Sequence, residues 1–357
     1  MTSRIAIAGW FGSDNLGDEL ILRSLVGSLS ARGAEPVAVS IDPDDTTRIH
    51  GIEAVPHRSP LDYLRLGRAL RETHGLVVAG GLIQTETSVW NLPFHASRLH
   101  SARDLAGCAV GLGVGRVGGP LAVPIARGSL RRLRLVVVRD HDSADRLRGW
   151  GLENVRVGSD PVIGDRVDAL APEDTMCVIL RPPNRRGIGT AASKAAPPSS
   201  ATSSALASGL EAVADATGLS IRMVTFQASR DLPVHRSIAD RLGGEVELVT
   251  PRLASVIEEV GRSRLVITMR YHGAIAALLH GRPAVLLDYS PKMASLAAEG
   301  GRWAPLLNPL EPEPDRMVRA AEAALGVTSR AIEVRGALRY RLAENDRALD
   351  AIAGAGP

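Results

Sequence analysis

The sequence contains very few lysines, cysteines and aromatic residues for its length. Of its 42 basic residues only Lys194 and Lys292 are lysines, so arginine carries nearly all of the positive charge. The two cysteines, Cys108 and Cys177, lie in apolar runs and are too few for a disulfide framework, which predicts buried, reduced thiols. With 4 Trp, 4 Tyr and 3 Phe in 357 residues, aromatic platforms for nucleic acid are not expected.

Long apolar stretches are also missing. No run reaches the roughly 18 residues that a membrane-spanning helix needs, and the N-terminal segment becomes glycine-rich before a signal-peptide core could form. A net charge of +3 provides no field that would steer the chain to nucleic acid or anionic lipid. The hydrophobic content of 45% is typical of a globular protein, and we predict a cytoplasmic one.

Short apolar runs alternate with longer amphipathic stretches, a rhythm typical of parallel sheets covered by helices on both faces. The rhythm restarts after Asp174, and the length favours two domains. We therefore predict an α/β fold with two Rossmann-like domains, residues 1–170 and 174–330, followed by a C-terminal helix within 331–357. The Ala-, Ser-, Pro- and Thr-rich stretch 187–204 predicts a disordered insertion.

Ligands of open α/β sheets bind beyond the carboxyl ends of the strands, so the residues after each strand are candidates for the site. The first strand leads into a loop with permissive glycines and an acidic helix start, namely Gly12, Asn15, Gly17, Asp18 and Glu19. A later strand leads into a glycine pair and a polar run that include Gly81 and Gln84. Both segments are explained either as ordinary turns or as a sugar-binding edge. Neither has the dinucleotide or P-loop fingerprint.

The second half of the chain places basic residues after its strands. Arg270 and His272 open a helix, where anions are favoured and a histidine can exchange protons near neutral pH. Lys292 is the only lysine outside the predicted insertion, which indicates that its ammonium group binds a phosphate or a carboxylate. Arg139 and Arg181 also follow strands, either as anion ligands or as salt bridges at the sheet edge. No histidine or cysteine spacing indicates a metal site, so no metal and no cofactor are predicted.

Taken together, these motifs resemble the polysaccharide pyruvyl transferase family. The family's Gly-aromatic-aromatic-Gly opening and its Asn-x-Gly-Asp-Glu run are matched by residues 9–12 and 15–19. The other matches follow in the same order, namely 80–84, 111–115, 138–140, 159–161, 181–182, 269–272 and Lys292. The chain differs from the family at Ala79, which replaces a glycine, and at Pro183, which stands where the family usually has tryptophan. It also differs by the insertion after Arg186, and these differences concern the acceptor more than the donor.

The resemblance implies a fold similar to GT-B glycosyltransferases, with the active site in the cleft between two domains and a last helix that returns to the first domain. It further implies transfer of the pyruvyl group of phosphoenolpyruvate onto a sugar of a polysaccharide or glycoconjugate, as a cyclic ketal, with release of phosphate. The donor ligands that it implies are His272, Lys292 and one of Arg139 and Arg181. Such a reaction needs no metal and no further cofactor.

The residues fit this chemistry. Arg270 adds charge for the donor, His272 suits a general acid if phosphate raises its pKa, and Asp18 or Glu19 suits deprotonation of an acceptor hydroxyl. The acceptor is expected to contact the glycine and amide residues, namely Gly12, Asn15, Gly17, Gly81 and Gln84. A lipid-linked acceptor would bring the protein to a membrane surface as a peripheral protein. The alternatives are a nucleotide-sugar glycosyltransferase of GT-B type and a noncatalytic sugar-binding protein on the same scaffold.

Overall fold

The computed structural model describes residues 2–58, 62–81, 83–85, 91–102, 105–182 and 198–354. These residues form two compact units, of which the first comprises the chain up to Gly164 and again from Leu338 onward, and the second the described residues between them. The last element of the first unit before this boundary is a short 3-10 helix, Pro161–Gly164, which packs against the first helix of that unit. The Leu170 carbonyl already accepts a hydrogen bond from Arg282 Nη2 of the second unit, at 2.6 Å.

A parallel sheet of seven strands forms the first unit. Its strands are β1 Arg4–Phe11, β2 Glu35–Ser40, β3 Glu53–Pro56, β4 Gly75–Ala79, β5 Ala106–Leu112, β6 Leu135–Val138 and β7 Val155–Val157. Its helices are α1 Leu16–Ser30, α2 Pro43–His50, α3 Tyr63–Ala69, α4 Asn91–Ser101, α5 Ala122–Leu130 and α6 His141–Gly149. The spatial order is β3-β2-β1-β4-β5-β6-β7, so the strand order reverses between β1 and β4.

The second unit repeats this plan with six strands. They are β8 Glu173–Ile179, β9 Ser220–Val224, β10 Val246–Val249, β11 Ser263–Thr268, β12 Ala284–Leu287 and β13 Leu306–Leu307. The helices from here on are α7 Ser200–Thr217, α8 Ala228–Ala239, α9 Val256–Gly261, α10 Tyr271–Leu279, α11 Pro291–Arg302, α12 Pro314–Leu325 and α13 Ser329–Ala353. The spatial order is β10-β9-β8-β11-β12-β13, and the order reverses between β8 and β11.

The central strands are apolar along their whole length because helices cover both faces of each sheet. β4 is buried at every position, and all of its neighbours in the sheet are parallel. Among the described residues, buried apolar clusters lie in both units. This arrangement confirms the predicted α/β fold with two Rossmann-like sheets, and it places the carboxyl ends of β1 and β4, and of β8 and β11, where such sheets bind ligands.

Helix α7 corrects one sequence-based prediction. The stretch 187–204 was expected to be disordered, yet α7 begins at Ser200, where the Ser199 hydroxyl caps the helix by accepting from the Thr202 amide at 3.2 Å. Ser203 is fully buried in the first turns of this helix. Further along, a Cβ at Gly209 would lie 2.3 Å from Met317 Sδ, so α7 packs tightly on α12. The rest of the predicted insertion, 187–197, lies outside the described residues.

The later part of α13 packs within the first unit. Asn345 accepts a hydrogen bond from the Ser159 amide at 3.2 Å and donates one to the Ser159 carbonyl at 2.9 Å. The Ser159 hydroxyl in turn donates to the Leu338 carbonyl at 2.6 Å. Gly158 must be glycine here because a Cβ would lie 2.1 Å from Asn345 Oδ1. The motif at 159–161 therefore anchors the C-terminal helix.

Candidate functional site

In the first unit, the loop after β1 is held by a buried carboxylate. Glu19 is 4% exposed and accepts a hydrogen bond from the Gly12 amide at 2.8 Å, while its other oxygen lies 2.8 Å from His50 Nε2. Gly12 has a φ of +71°, and a Cβ there would lie 2.3 Å from the Ser40 hydroxyl. Because both of its oxygens are engaged by protein, Glu19 fixes the backbone of the loop.

Asn15 and Asp18 occupy the start of α1. Asn15 accepts a hydrogen bond from the Gly17 amide at 3.3 Å and donates to the Asp18 carboxylate. Gly17 is buried beneath the helix start, whereas Asp18 is partly exposed. The helix N-terminus stabilises the charged form of such a carboxylate. Of the two acids in the first turn of α1, Asp18 rather than the buried Glu19 is accessible to a ligand.

Arg139, at the end of β6, is buried between glycines and carboxylates. A Cβ at Gly113 would lie 2.5 Å from its Nη2, and a Cβ at Gly81 would lie 3.7 Å from the same atom. Its guanidinium lies 3.6 Å from Asp160 and 3.7 Å from Asp140. Arg139 thus forms ion pairs at the sheet edge, and its predicted role as an anion ligand stays a prediction. Gln84, partly exposed, follows a β-bridge between Ile83 and Val114 at this edge.

A buried cluster of one arginine and two histidines near the end of β1 was missed from the sequence. Arg98 donates to the Gly9 carbonyl and, through Nε, to His57 Nδ1 at 2.8 Å, and its guanidinium lies 4.4 Å from the Phe94 ring centroid. Burial lowers the pKa of Arg98 to about 9. Burial, with the charge of Arg98, also lowers the pKa of His57 to about 4 and that of His95 well below its usual range. The i, i+3 spacing of His95 and Arg98 on α4 was the available signal.

In the second unit, Arg270 is fixed by a carboxylate from α8. Asp231 is 0% exposed and receives Arg270 Nε at 3.1 Å, with a second contact from Nη2 to its other oxygen. Asp231 also accepts from the amides of Phe226 and Gln227 at 3.0 and 2.9 Å. The Thr268 hydroxyl accepts from the Arg270 amide at 2.9 Å. Arg270 is therefore a rigid part of the strand end.

His272 is the second residue of α10, two residues after Arg270. It is partly exposed, and its ring meets Tyr271 edge to face with the centroids 5.4 Å apart. The next residue must be glycine, because a Cβ at Gly273 would lie 2.6 Å from Thr268 Oγ1. The tight turn places His272 at the N-terminus of a helix, where a bound anion would be favoured.

Arg181, at the end of β8, and Lys292, in the first turn of α11, both contact Tyr289. The Arg181 guanidinium lies 4.5 Å from the ring centroid of Tyr289, and Lys292 Nζ lies 5.4 Å from it. Burial acts to raise the pKa of Tyr289, but Lys292, Arg181 and Arg270 together lower it to about 7. Sequence reasoning singled out Lys292 in this segment and overlooked the tyrosine three residues before it.

The structure thus groups the predicted site residues within each unit. In the first unit, one loop contains Gly12, Asn15, Gly17, Asp18 and Glu19, and Gly81 lies beside Arg139. In the second unit, Arg181, Arg270 and Lys292 share the surroundings of Tyr289. Among the residues that the structure describes, no three His, Cys, Asp or Glu side chains are grouped as metal ligands. In the same part of the chain, no helix combines the length and apolar character required to cross a membrane.

Comparison with known proteins gives a family match and a consistent fold. A family model described as polysaccharide pyruvyl transferase matches residues 15–291. A search of curated proteins gave no match.

Several solved structures are similar in fold. S. aureus MnaA in complex with UDP is 13% identical, with a TM-score of 0.62, over 94% of this chain and 91% of that chain. HepE from Anabaena in complex with UDP and glucose is 13% identical, with a TM-score of 0.62, and the match covers 99% of this chain and 100% of that chain. The spinosyn rhamnosyltransferase SpnG is 15% identical, with a TM-score of 0.56, and the match covers 97% of this chain and 99% of that chain. At these identities the likeness shows the fold alone, which is GT-B-like.

Proposed function

Because the chain belongs to the polysaccharide pyruvyl transferase family, we propose that it transfers the pyruvyl group of phosphoenolpyruvate onto two hydroxyls of a sugar. The product is a cyclic ketal, and phosphate is released. The observation that carries this proposal is the cation cluster around Tyr289, in which Arg181 and Lys292 flank the ring and Arg270 lies near enough to affect its pKa. A donor with both a carboxylate and a phosphate suits such a cluster.

Arg181 rather than Arg139 is the donor arginine in this proposal. Arg139 already lies within 3.7 Å of the carboxylates of Asp140 and Asp160, so an added anion would meet a largely neutralised charge. Arg181 instead lies among other cations, and its charge together with burial lowers the pKa of Arg230. A bound trianion would relieve this repulsion. The same reasoning gives Arg270, which Asp231 already holds, a smaller share of donor binding.

The reaction adds one proton to the donor and removes one from each of the two acceptor hydroxyls, so the remaining proton goes to the leaving phosphate. A proton is added to the methylene carbon of the donor, the adjacent carbon is attacked by one hydroxyl, phosphate leaves, and the second hydroxyl closes the ketal. We assign the first proton to His272, whose pKa a neighbouring phosphate would raise. Asp18 is assigned to the acceptor hydroxyl because Glu19 is engaged by Gly12 and His50. The remaining acceptor contacts are assigned to Asn15, Gly81 and Gln84.

Phosphate release from phosphoenolpyruvate across a panel of glycosides tests the proposal. We expect release only when donor and acceptor are both present, with an acceptor product whose mass corresponds to a pyruvate ketal. Arg181→Met should weaken donor binding roughly ten- to hundredfold, the loss expected for a hydrogen bond to a charged group. Arg264→Met is the matched control. Arg264 lies at the amino end of β11, away from the carboxyl ends of the strands, and forms an exposed ion pair with Asp174.

Two outcomes would contradict the proposal. Release of a nucleoside diphosphate from a nucleotide sugar, without phosphate from phosphoenolpyruvate, would identify a glycosyltransferase. Sugar binding without turnover of either donor would identify a binding protein on the same fold.

A further inference from the structure

Strand β1 contains a bulge near its carboxyl end. In the pairing with β2, Ala8 is matched with one residue and Phe11 with the very next one, so Gly9 and Trp10 are two extra residues in β1. Position 9 must be glycine, because a Cβ there would lie 2.2 Å from the Phe11 ring. Bulges redirect side chains and are common beside active sites. The two aromatic neighbours differ accordingly, since Phe11 is fully buried and Trp10 is partly exposed.

Helix α4 holds this bulge in place. Arg98 Nη1 donates to the Gly9 carbonyl, and the Arg98 guanidinium lies 4.4 Å from the centroid of the Phe94 ring. The rings of Phe94 and His95 both meet the Trp10 ring edge to face, with their centroids 5.5 and 6.2 Å from its own. One helix therefore fixes both the backbone of the bulge and the indole that it carries.

Packing of the core alone does not explain a tryptophan in this position. Trp303, in the second unit, is an example of such packing, since it is 3% exposed and donates its indole Nε1–H to the Leu296 carbonyl at 2.8 Å. Trp10 instead remains partly exposed at the carboxyl end of β1, where open α/β sheets bind ligands. Its indole is thus held rigidly by protein and remains accessible to a ligand.

We infer that Trp10 is the platform on which the ring of a sugar stacks. The ring carbons of a pyranose present C–H bonds on one face, and these bonds carry a partial positive charge that packs against the electron-rich face of an indole. The hydroxyls around the rim of the ring remain free for polar groups of the loop that follows β1.

The charges around Trp10 favour a neutral pyranose. Arg98 is 2% exposed, so its charge is not offered to a ligand, and the partly exposed Asp18 in the following loop would repel an anionic sugar. This inference deepens the proposed function, and it rests on that function only for the role of the sugar as acceptor. In that role, stacking on Trp10 would hold the ring while Asp18 acts on one of its hydroxyls.

Tryptophan fluorescence tests the stacking without any transferase assay. The chain has only 4 tryptophans, so a change at one of them is a large fraction of the emission. The probes are methyl glycosides of neutral hexopyranoses, titrated into the full-length protein. Sorbitol is the matched ligand, since it has the hydroxyls of a hexose but no ring. At least one glycoside should change the emission saturably, and sorbitol should not.

Two tryptophan variants locate the signal. Trp10→Phe retains an aromatic ring beside Phe94 and should remove the emission change, whereas Trp150→Phe should retain it. Trp150 is the matched control because it is partly exposed and packs against the same apolar cluster, yet it is the C-cap of α6, which runs back toward the amino ends of the strands. Trp10→Ala should weaken glycoside binding, measured by calorimetry, roughly tenfold.

Four results would overturn the inference. They are an emission change that persists in Trp10→Phe, an equal response to sorbitol, no response to any glycoside of the panel, and a Trp10→Ala variant that binds the glycoside as tightly as the wild type. Because Trp10→Phe keeps the aromatic packing, the fluorescence arm decides the question even if Trp10→Ala folds poorly.

The two proposals fail separately. Glycoside stacking on Trp10 in a protein that transfers no pyruvyl group would retain the platform and reject the proposed function. Pyruvyl transfer with the same acceptor KM in the wild type and in Trp10→Ala would do the reverse.

Discussion

Removing the carboxylate of Asp231 should destabilise the second unit strongly. Asp231 is 0% exposed, pairs with Arg270 through both oxygens, and accepts from two backbone amides. Asp231→Ala leaves a buried guanidinium without its partner, and breaking a buried pair in this way costs about 3–5 kcal/mol. In a unit of this size each kcal/mol lowers Tm by about 2–4 °C, so the melting transition should fall by roughly 10 °C.

Scanning calorimetry on the full chain measures this loss. The matched control is Glu247→Ala in the same unit, because Glu247 pairs with Arg222 at 2.6 Å but its side chain is 57% exposed. That variant should lose less than about 1 kcal/mol. The double variant Asp231→Ala/Arg270→Met should recover part of the loss, since no unpaired charge remains buried. If Asp231→Ala costs no more than Glu247→Ala, the pair does not stabilise the strand end and the reasoning fails.

Three further predictions concern the proton chemistry. His272→Gln, which can form hydrogen bonds but cannot donate a proton as imidazolium does, should lower turnover by about 10²–10⁴-fold while donor affinity by calorimetry changes little. Asp18→Asn should lower turnover with little change in Tm, whereas Glu19→Gln should lower Tm and activity together, because Glu19 holds Gly12 and His50. Stability in urea should fall as pH drops from about 6.5 to about 4. Burial lowers the pKa of four histidines, so in this pH range the unfolded chain binds protons that the folded chain does not; they are His57, His95, His235 and His280. The loss is up to about 1.4 kcal/mol per pH unit for each of these histidines.

Each of these has an outcome that contradicts it. Wild-type turnover in His272→Gln would make His272 a phosphate ligand rather than an acid. Equal effects of the Asp18 and Glu19 variants on Tm would show that the two carboxylates do not divide their roles as the hydrogen bonds indicate. A urea midpoint that stays constant between about pH 6.5 and about pH 4 would mean that the histidines are protonated in the folded state.

The fold was predictable because parallel strands that are covered on both faces have a strong sequence signal. β4 and β6 are continuous apolar runs of the kind from which the sequence analysis predicted parallel strands. Elements with weaker signals were missed. β3 is a four-residue edge strand that contains proline, and α5 combines alanine, glycine and proline. Helix α12 could have been predicted from the sequence, because its apolar residues recur at helical spacing; those that are buried are Met317, Ala320, Ala321 and Ala324.

The positions of the site residues were predictable for a topological reason, but their partners were not. The rule that ligands bind beyond strand ends predicted Arg181, Arg270 and Lys292 as candidates, and the structure places all three near Tyr289. Which charges meet depends on contacts between distant segments. Asp231 lies 39 residues from Arg270, and nothing local indicates that α8 carries the carboxylate for β11. Tyr289 is an ordinary residue in the sequence, and it gains its properties only when β8 and α11 bring cations to it.

The strand ends of the two units differ in how their charges are compensated, and this difference follows from where the acids stand. In the first unit, Arg139 has carboxylates nearby that come from its own sequence neighbour Asp140 and from Asp160. These two carboxylates offset the charge of Arg139. In the second unit, Asp231 pairs with Arg270, and Arg181 and Lys292 both lie close to the ring of Tyr289. Under the proposed function, an anionic donor is therefore expected at the second unit, where Arg181 and Lys292 converge on one aromatic ring.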